Sequence, residues 1–339
     1  MTLDRFQAIT AKYSKLAVAV VGDFCLDRYL EIDPGKEEVS IETGLPVHNV
    51  VNARSQPGGA GTILNNLVAL GVSAIYPVTF CGDDGEGYEL RRALSVQDGV
   101  RLDHFLMLSE RKTFTYCKPL ITVPGKSPVE LSRLDTKNWS PTPGLIQDRL
   151  IESVARLASE VDAIILLDQV DLPETGVITA KLLEAISGIV QQLPERLILA
   201  DSRRGLRGFP KVTFKMNSTE LCFMAGTKSP LELAAIKQMA IDVARRQKRN
   251  VFVTLAEQGI LGASPSGECE HVPAHPVRGE IDIVGAGDAV TANLSVALAA
   301  GATVREALEL ANAAASIVIH QLGTTGTAAV AEIGERVAK

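Results

Sequence analysis

Short, strongly apolar runs alternate along this chain with longer amphipathic stretches, and this alternation restricts the fold more than any other feature of the sequence. The apolar runs are rich in Val, Ile and Leu and occupy residues 16–21, 74–80, 163–167, 196–200 and 251–255. Such short runs predict buried β-strands. The predicted helices between and after them cover residues 61–70, 86–94, 145–158, 174–192, 230–246, 289–299 and 304–321. Strands that alternate with helices predict an α/β fold with an open, mostly parallel sheet flanked by helices.

Two segments interrupt this alternation. Residues 29–56 and 100–134 carry β-branched and aromatic residues with a period of two and show no helical period. We predict that both segments form a small β-strand lid on a single α/β domain covering residues 1–339. Four of the five predicted strands are followed at once by a glycine or a polar stretch, which is where an open α/β sheet binds its ligand.

Composition and charge exclude several classes of protein. The chain has 339 residues, with 34 Lys and Arg against 40 Asp and Glu, so its net charge of −6 argues against nucleic-acid binding. No apolar run approaches the roughly 18 residues that span a membrane. The five cysteines are an odd number without a CxxC pair, which argues against a disulfide framework and a zinc site. We predict a cytoplasmic protein that acts on a small molecule.

Several familiar nucleotide and catalytic motifs are absent from the sequence. The only GK[ST] string, residues 125–127, has Leu120 where a phosphate-binding loop needs glycine. GxGxxG, HExxH and GxSxG do not occur either. A bound nucleotide would therefore have to be held by another device.

Residues 282–288, with the sequence DIVGAGD, supply a candidate for that device. Gly285, Ala286 and Gly287 precede a predicted helix, where small residues let backbone N–H groups converge on an anion and the helix dipole favours negative charge. Asp288 would be placed to accept a proton from a hydroxyl group that attacks a bound phosphoryl group. The alternative is that Asp288 only caps the helix.

Two further clusters lie near predicted strand and helix ends. Residues 57–61, PGGAG, either allow close approach of a ligand or form a tight turn. Asp23 and Asp27 follow the first strand, and a carboxylate there could accept hydrogen bonds from sugar hydroxyls or belong to a solvated loop.

The order of these motifs resembles the ribokinase/PfkB family of carbohydrate kinases over essentially the whole chain. The similar segments are VVGDFCLDRY at 20–29, PGGA at 57–60, NSTE at 217–220, DIVGAGD at 282–288 and LANAAA at 310–315. The resemblance implies a ribokinase-like fold and an ATP-dependent kinase that transfers the γ-phosphoryl group to a hydroxyl of a sugar or sugar phosphate. It also implies Mg²⁺ on the phosphates, and a monovalent cation is an optional further cofactor.

The resemblance also implies roles for individual residues. Asp288 would be the catalytic base, and the amides of Gly285, Ala286 and Gly287 would bind the transferred phosphoryl group. The residues expected at the substrate are Asp27, Gly58, Gly59, Asn66 and Arg133. The residues expected at the nucleotide are Asn217, Glu220, Gly259 and Asn312, with Glu220 holding Mg²⁺ through water.

Within the family, the sequence resembles bacterial heptose phosphate kinases, so heptose 7-phosphate is a possible acceptor. It departs from the family pattern at Thr62 and Ile283, where Asn and Thr are expected, and at residues 168–174, DQVDLPE. The acidic residues of that stretch predict repulsion of a phosphate on the sugar. Two alternatives remain open, a catalytically silent sugar or nucleotide sensor and a kinase for a nucleoside or vitamin. We expect a homodimer, since two lids could pair and cover their exposed strand edges.

Overall fold

A computed structural model describes residues 1–228 and 232–337 of the chain. In chain order its strands are β1 (Ala17–Gly22), β2 (Phe24–Ile32), β3 (Glu38–Val39), β4 (Pro46–Val47), β5 (Val50–Gly59), β6 (Ala74–Gly82), β7 (Phe105–Leu108), β8 (Thr115–Ile121), β9 (Val129–Glu130), β10 (Leu134–Thr136), β11 (Ala163–Asp168), β12 (Leu197–Ser202), β13 (Thr213–Asn217), β14 (Val251–Thr254), β15 (Ile260–Ala263) and β16 (Cys269–Val272). Its α-helices are α1 (Leu3–Thr10), α2 (Ala60–Ala69), α3 (Gly85–Ser95), α4 (Gly144–Leu157), α5 (Ala180–Gln192), α6 (Ser218–Ala225), α7 (Leu233–Gln247), α8 (Ala286–Ala299), α9 (Val304–Val318) and α10 (Val330–Val337).

The large sheet has nine strands in the spatial order β16-β15-β14-β13-β12-β11-β1-β6-β7. The strands from β14 to β7 along this order are parallel, and β15 and β16 add an antiparallel edge. The predicted α/β fold and all five predicted strands are confirmed. The chain adds strands on one side of β1 and then on the other, so the order reverses at β1 and β11 and opens a crevice at their carboxyl ends.

Alternating residues of the central strands build a core on each face of the large sheet. Val18 and Val20 of β1 pack into one apolar cluster with helices α2, α8 and α9. Ala19 and Val21 point the other way, into a second cluster with α4, α5 and α7. Because both faces are covered, the strands are continuous apolar runs without polar alternation.

A second sheet, which we call the small sheet, has the order β10-β8-β2-β5, with β9 paired to β8. The first chain segment of this sheet runs from Phe24, directly after β1, to Gly59, so it is longer than the predicted segment 29–56. The predicted segment 100–134 is divided, since Phe105–Leu108 pairs with β6 in the large sheet and only the strands from Thr115 onward join the small sheet. The burial of Phe105, Leu106 and Leu108 against the large sheet explains this division.

The helix that was predicted to begin at residue 174 begins at Ala180, because Glu174 has a φ of 65° and Thr179 caps the helix by accepting the N–H of Leu182. The predicted start of another helix at residue 230 lies outside the described residues, and the described part of that helix is Leu233–Gln247. None of the helices within the described ranges is both long and apolar enough to cross a membrane.

Candidate active site

A cavity of about 250 Å³ lies between the small sheet and the carboxyl ends of β1, β11 and β12. The predicted residues that line it are Asp27, Gly59, Arg133 and Asp288. The lining residues that were not among the predicted site residues are Cys25, Thr62, Tyr116, Lys118, Gln169, Arg203, Val284 and Thr325. Tertiary structure thus brings four predicted residues that are distant in the sequence to one cavity.

The N-terminus of α8 forms one end of this cavity. Gly285 has a φ of 85°, a left-handed conformation that favours glycine, and it starts the helix. The N–H of Ala286 donates to the carbonyl oxygen of Ile283 at 3.2 Å, so the predicted role of this amide in binding an anion is not available in this conformation. The N–H groups of Gly285, Gly287 and Asp288 have no acceptor among the described residues. The helix end therefore offers these three amides and its dipole to an anion.

Asp288 is half-buried at this helix end. Desolvation, with smaller contributions from Asp201 and Asp27, raises the pKa of its carboxyl group to about 7 against the opposing effect of the Lys215 ammonium. A carboxyl group with this pKa exchanges a proton near neutral pH, which suits a general base.

The opposite part of the cavity holds Asp27, which is only 7% exposed. No described residue donates a hydrogen bond to its carboxylate, and burial raises its pKa while Lys118 and Arg133 lower it. A Cβ atom on Gly58 would lie 2.5 Å from Asp27 Oδ2, so only glycine fits beside this carboxylate. Asp27 is thus free to accept hydrogen bonds from hydroxyl groups in the cavity.

Three cationic side chains surround the same space: Lys118, Arg133 and Arg203. The guanidinium of Arg133 lies 5.0 Å from the centre of the Tyr116 ring, and the ammonium of Lys118 lies 5.0 Å from that of Tyr29. Lys118 was missed in the sequence, although it shares one face of β8 with Tyr116, two residues away, and the period of two could have revealed it. Arg133 also pairs with Asp135, and Arg203 lies 3.7 Å from Asp171. Lys118 and the remaining N–H donors of the two arginines would bind an anionic group on a ligand.

Two of the three acidic side chains in the stretch 168–174 are paired with cations. Asp168 accepts hydrogen bonds from Ser202 and Arg204, both at 2.8 Å. Asp171 pairs with Lys137 at 2.6 Å and with Arg203 at 3.7 Å. These contacts offset the charges of Asp168 and Asp171, which weakens the predicted repulsion of a sugar phosphate, and only the folded chain brings these distant cations to them.

Asn66 does not reach the cavity. It is fully buried inside α2, where its amide donates to the carbonyl oxygens of Thr62 at 3.0 Å and Gly326 at 3.4 Å. In this structure its contacts hold the chain around the cavity together rather than face a substrate.

The four residues predicted at the nucleotide lie outside the cavity, in two pairs. Asn217 Oδ1 accepts the N–H of Glu220 at 2.9 Å, and Glu220 Oε2 accepts the N–H of Asn217 at 2.7 Å, so the two residues cap α6 reciprocally. Gly259 packs so tightly that a Cβ atom would lie 2.1 Å from the carbonyl oxygen of Val272. The side-chain amide of Asn312 donates to the carbonyl oxygen of Pro273 at 2.8 Å, and Pro273 follows Val272 in the chain, so Gly259 and Asn312 contact neighbouring residues.

Glu220 is the predicted residue whose chemistry suits Mg²⁺. Burial raises the pKa of its carboxyl group, and its Oε1 atom has no hydrogen-bond partner in the described part of the chain. Across residues 1–228 and 232–337 no three His, Cys, Asp or Glu side chains form a metal-binding group. One carboxylate fits Mg²⁺ that takes its other ligands from phosphates and water, which is how proteins usually hold this ion.

A buried network beneath α8 was also missed in the sequence. Lys215 Nζ lies 2.7 Å from Asp201 Oδ2, and Thr291 Oγ1 lies 3.0 Å from the same oxygen. Lys215 stands in an apolar stretch with no motif that marks it, two residues before the NSTE segment. Only the pairing of β12, β13 and α8 reveals the network.

Comparison with known proteins agrees with this geometry. The model of the pfkB family carbohydrate kinases matches residues 17–330. The bifunctional protein HldE of Rhodopseudomonas palustris strain BisB18 is 30% identical over 322 residues, which cover 94% of this chain and 63% of that protein. HldE of Rhodospirillum rubrum is also 30% identical, over 95% of this chain and 62% of its own. The chain thus spans less than two thirds of these relatives.

Solved structures show the same fold at lower sequence identity. Ribokinase of Arabidopsis thaliana, complexed with ribose and ATP, has a TM-score of 0.67 and 18% identity, and the match covers 96% of this chain and 99% of that one. Phosphofructokinase-2 of Escherichia coli has a TM-score of 0.70 and 17% identity, with 95% and 98% of the two chains covered. The ribokinase-like fold is confirmed, and the family match over residues 17–330 shows that this chain belongs to the pfkB family of carbohydrate kinases.

Proposed function

We propose that this kinase transfers the γ-phosphoryl group of ATP to a hydroxyl of a sugar phosphate, and that heptose 7-phosphate is the first acceptor to test. The observation that carries the proposal is that one cavity holds Asp288 at a helix N-terminus and three cations, Lys118, Arg133 and Arg203. Arg133 also pairs with Asp135 and Arg203 with Asp171, but each guanidinium keeps unused N–H donors, and Lys118 has no ion pair among the described residues. A kinase for a neutral sugar needs the base at the helix N-terminus but has no need of these donors beside its acceptor. The resemblance to heptose phosphate kinases and the similarity to HldE support the choice of acceptor.

Each side chain then has a defined part in the reaction. Asp27 accepts hydrogen bonds from the sugar hydroxyls, and the cations bind the phosphate that the sugar already carries. Asp288 accepts the proton of the attacking hydroxyl, and the free amides of Gly285, Gly287 and Asp288 bind the phosphoryl group in transfer. Most of the rate enhancement would come from positioning and from stabilising negative charge.

The nucleotide would lie beside α6 and α9, near Asn217, Glu220, Gly259 and Asn312. Glu220 would hold Mg²⁺ through water, and the ion would neutralise charge on the phosphates. The small sheet would serve as the lid that excludes water from the cavity.

The two alternatives make different demands on this cavity. A silent sensor has no use for a base beside a phosphate site, so it does not explain Asp288. A nucleoside acceptor would stack on an aromatic ring, but Tyr116, the aromatic residue among the described residues that line the cavity, is faced by Arg133. We therefore retain the sugar phosphate as the proposed acceptor.

Replacing the proposed base tests the proposal directly. We expect Asp288→Asn to keep ATP binding while kcat falls by roughly two to four orders of magnitude, the usual contribution of a general base. ADP release with Mg-ATP and a panel of sugars, sugar phosphates and nucleosides would be measured together with calorimetric ATP binding. Asp103→Asn, at the surface, is the control. Unchanged turnover in Asp288→Asn would contradict the assignment.

The pH dependence of catalysis should reflect the pKa of Asp288. Desolvation, Asp201 and Asp27 raise this pKa to about 7 against the effect of Lys215, and a base must be deprotonated to accept a proton. We therefore expect kcat/KM to fall as the pH drops below about 7, by roughly tenfold per unit. Initial rates between pH 5.5 and 9 would check this. A flat profile across this range would show that Asp288 titrates elsewhere or is not the base.

Neutralising the cations should affect phosphorylated acceptors most. We expect Arg203→Gln and Lys118→Met each to raise KM for the sugar phosphate by roughly tenfold to a hundredfold, since a hydrogen bond to a charged group contributes about 1.5–3 kcal/mol. The kinetics with the corresponding unphosphorylated sugar should change less, and for Lys118→Met this smaller change would come through the pKa of Asp27, which Lys118 lowers. Arg207→Gln, on the same loop but outside the cavity, is the matched control. An equal effect on both sugars would mean that these side chains do not bind the phosphate.

We also propose that two chains pair through their small sheets. The apolar side chains that are at least 45% exposed on this sheet and its connections are Val39, Ile41, Leu45, Val50, Val51, Val129 and Leu134. Such a surface favours association with a second copy, because burial would remove it from water.

Light scattering at micromolar concentration should give a mass of about twice 36.1 kDa. We expect the double variant Ile41→Asp, Val51→Asp to reduce the mass to that of one chain, because a charge would have to be buried in the interface. Leu145→Asp, an equally exposed position on α4, should remain dimeric. A monomeric wild-type protein would overturn the proposal.

A further inference from the structure

A buried ion pair lies directly beneath the proposed phosphoryl site. Lys215 and Asp201 are 6% and 8% exposed, and their charged atoms lie 2.7 Å apart. Thr291, fully buried on α8, places its hydroxyl oxygen 3.0 Å from the same carboxylate oxygen and 3.0 Å from the carbonyl oxygen of Gly287. The pair is thereby attached to the first turn of α8.

The ammonium of Lys215 has more donors than partners. It carries three N–H groups, and within the described ranges Asp201 accepts only one of them. A buried ion pair is by itself a poor source of stability, because desolvation of both charges offsets their attraction. Two unused donors on a buried cation therefore indicate a further acceptor that arrives during function.

The position of the ammonium indicates what that acceptor is. A Cβ atom on Gly287 would lie 3.0 Å from Lys215 Nζ, so the cation lies against the turn whose amides are free. Its pKa is raised by the negative charges of Asp201, Asp288 and Glu220 against the effect of desolvation, so it stays protonated. Lys215 also shares one face of β13 with Asn217, two residues further along. It thus lies between the proposed base and the proposed nucleotide residues.

We propose that Lys215 binds the γ-phosphoryl oxygens of ATP and follows the group during transfer, while Asp201 and Thr291 hold its ammonium toward the start of α8. In this step the bond between the γ-phosphorus and the oxygen shared with the β-phosphate breaks, and its electron pair leaves with ADP. The sugar oxygen forms the new bond to phosphorus, and Asp288 takes the hydroxyl proton. Lys215 keeps its three protons throughout and stabilises charge on the phosphoryl oxygens.

The inference rests on the proposed kinase function, but its test needs no acceptor sugar. Binding of ADP and of an ATP analogue with a methylene between the β- and γ-phosphates would be measured by calorimetry in the presence of Mg²⁺. The variants are Lys215→Met, Asp201→Asn and the double variant, which removes both charges and leaves no unpaired buried ion. The control is the double variant Lys181→Met, Asp148→Asn, which removes a Lys–Asp pair between α4 and α5 at the surface.

We expect the Lys215→Met, Asp201→Asn variant to bind ADP as the wild type does and to bind the analogue at least tenfold more weakly. If Lys215 served only to neutralise Asp201, the double variant would bind the analogue as tightly as the wild type does, and the inference would be overturned. Equal weakening of both ligands would also overturn it, because the γ-phosphate would then have no special contact. Since no acceptor is present, the outcome is independent of whether the acceptor is a sugar phosphate.

Discussion

The side chain and backbone of Asp23 form the junction on which the rest of the structure depends. Asp23 separates β1 from β2, so it connects the large sheet to the small one. Its buried carboxylate accepts the backbone N–H groups of Gln169 at 2.9 Å, Val170 at 3.2 Å and Val177 at 2.7 Å. Its carbonyl oxygen accepts the N–H of Ala60 at the start of α2, at 3.0 Å. One residue thus fixes the loop after β11, the small sheet and α2 relative to one another.

This junction explains why glycines surround the crevice. A Cβ atom on Gly176 would lie 2.3 Å from Asp23 Oδ1, and one on Gly59 would lie 2.6 Å from its carbonyl oxygen. Burial and the charge of Asp168 raise the pKa of Asp23 to about 6, and the three amide hydrogen bonds oppose this shift by stabilising its charged form. The two cavity residues Asp27 and Gly59 are therefore close in sequence or in space to a residue whose side chain and backbone accept four hydrogen bonds.

The fold and the motif residues could largely be predicted from the sequence. Both ends of each predicted strand lie within two residues of the observed ends, because a strand covered on both faces must be continuously apolar. The strand β7 was predicted as part of the lid but belongs to the large sheet, since its four residues, Phe105–Leu108, lie within a segment with a period of two and pair with β6. For the capping pair Asn217 and Glu220, the sequence could predict the spacing but not the role, because residues three apart in this way suit both a helix cap and a phosphate site.

The sequence by itself determined the α/β architecture, the glycine turn before α8 and the place of Asp288 in its first turn, because these depend on local periodicity and on backbone freedom. Only the tertiary structure decided which charges act together. The three cavity cations, Lys118, Arg133 and Arg203, come from separate segments. Ser202, a partner of Asp168, and Lys137, a partner of Asp171, each lie 34 residues away along the chain. Coulombic interactions and desolvation depend on distance and burial in space, which no pattern along the chain encodes.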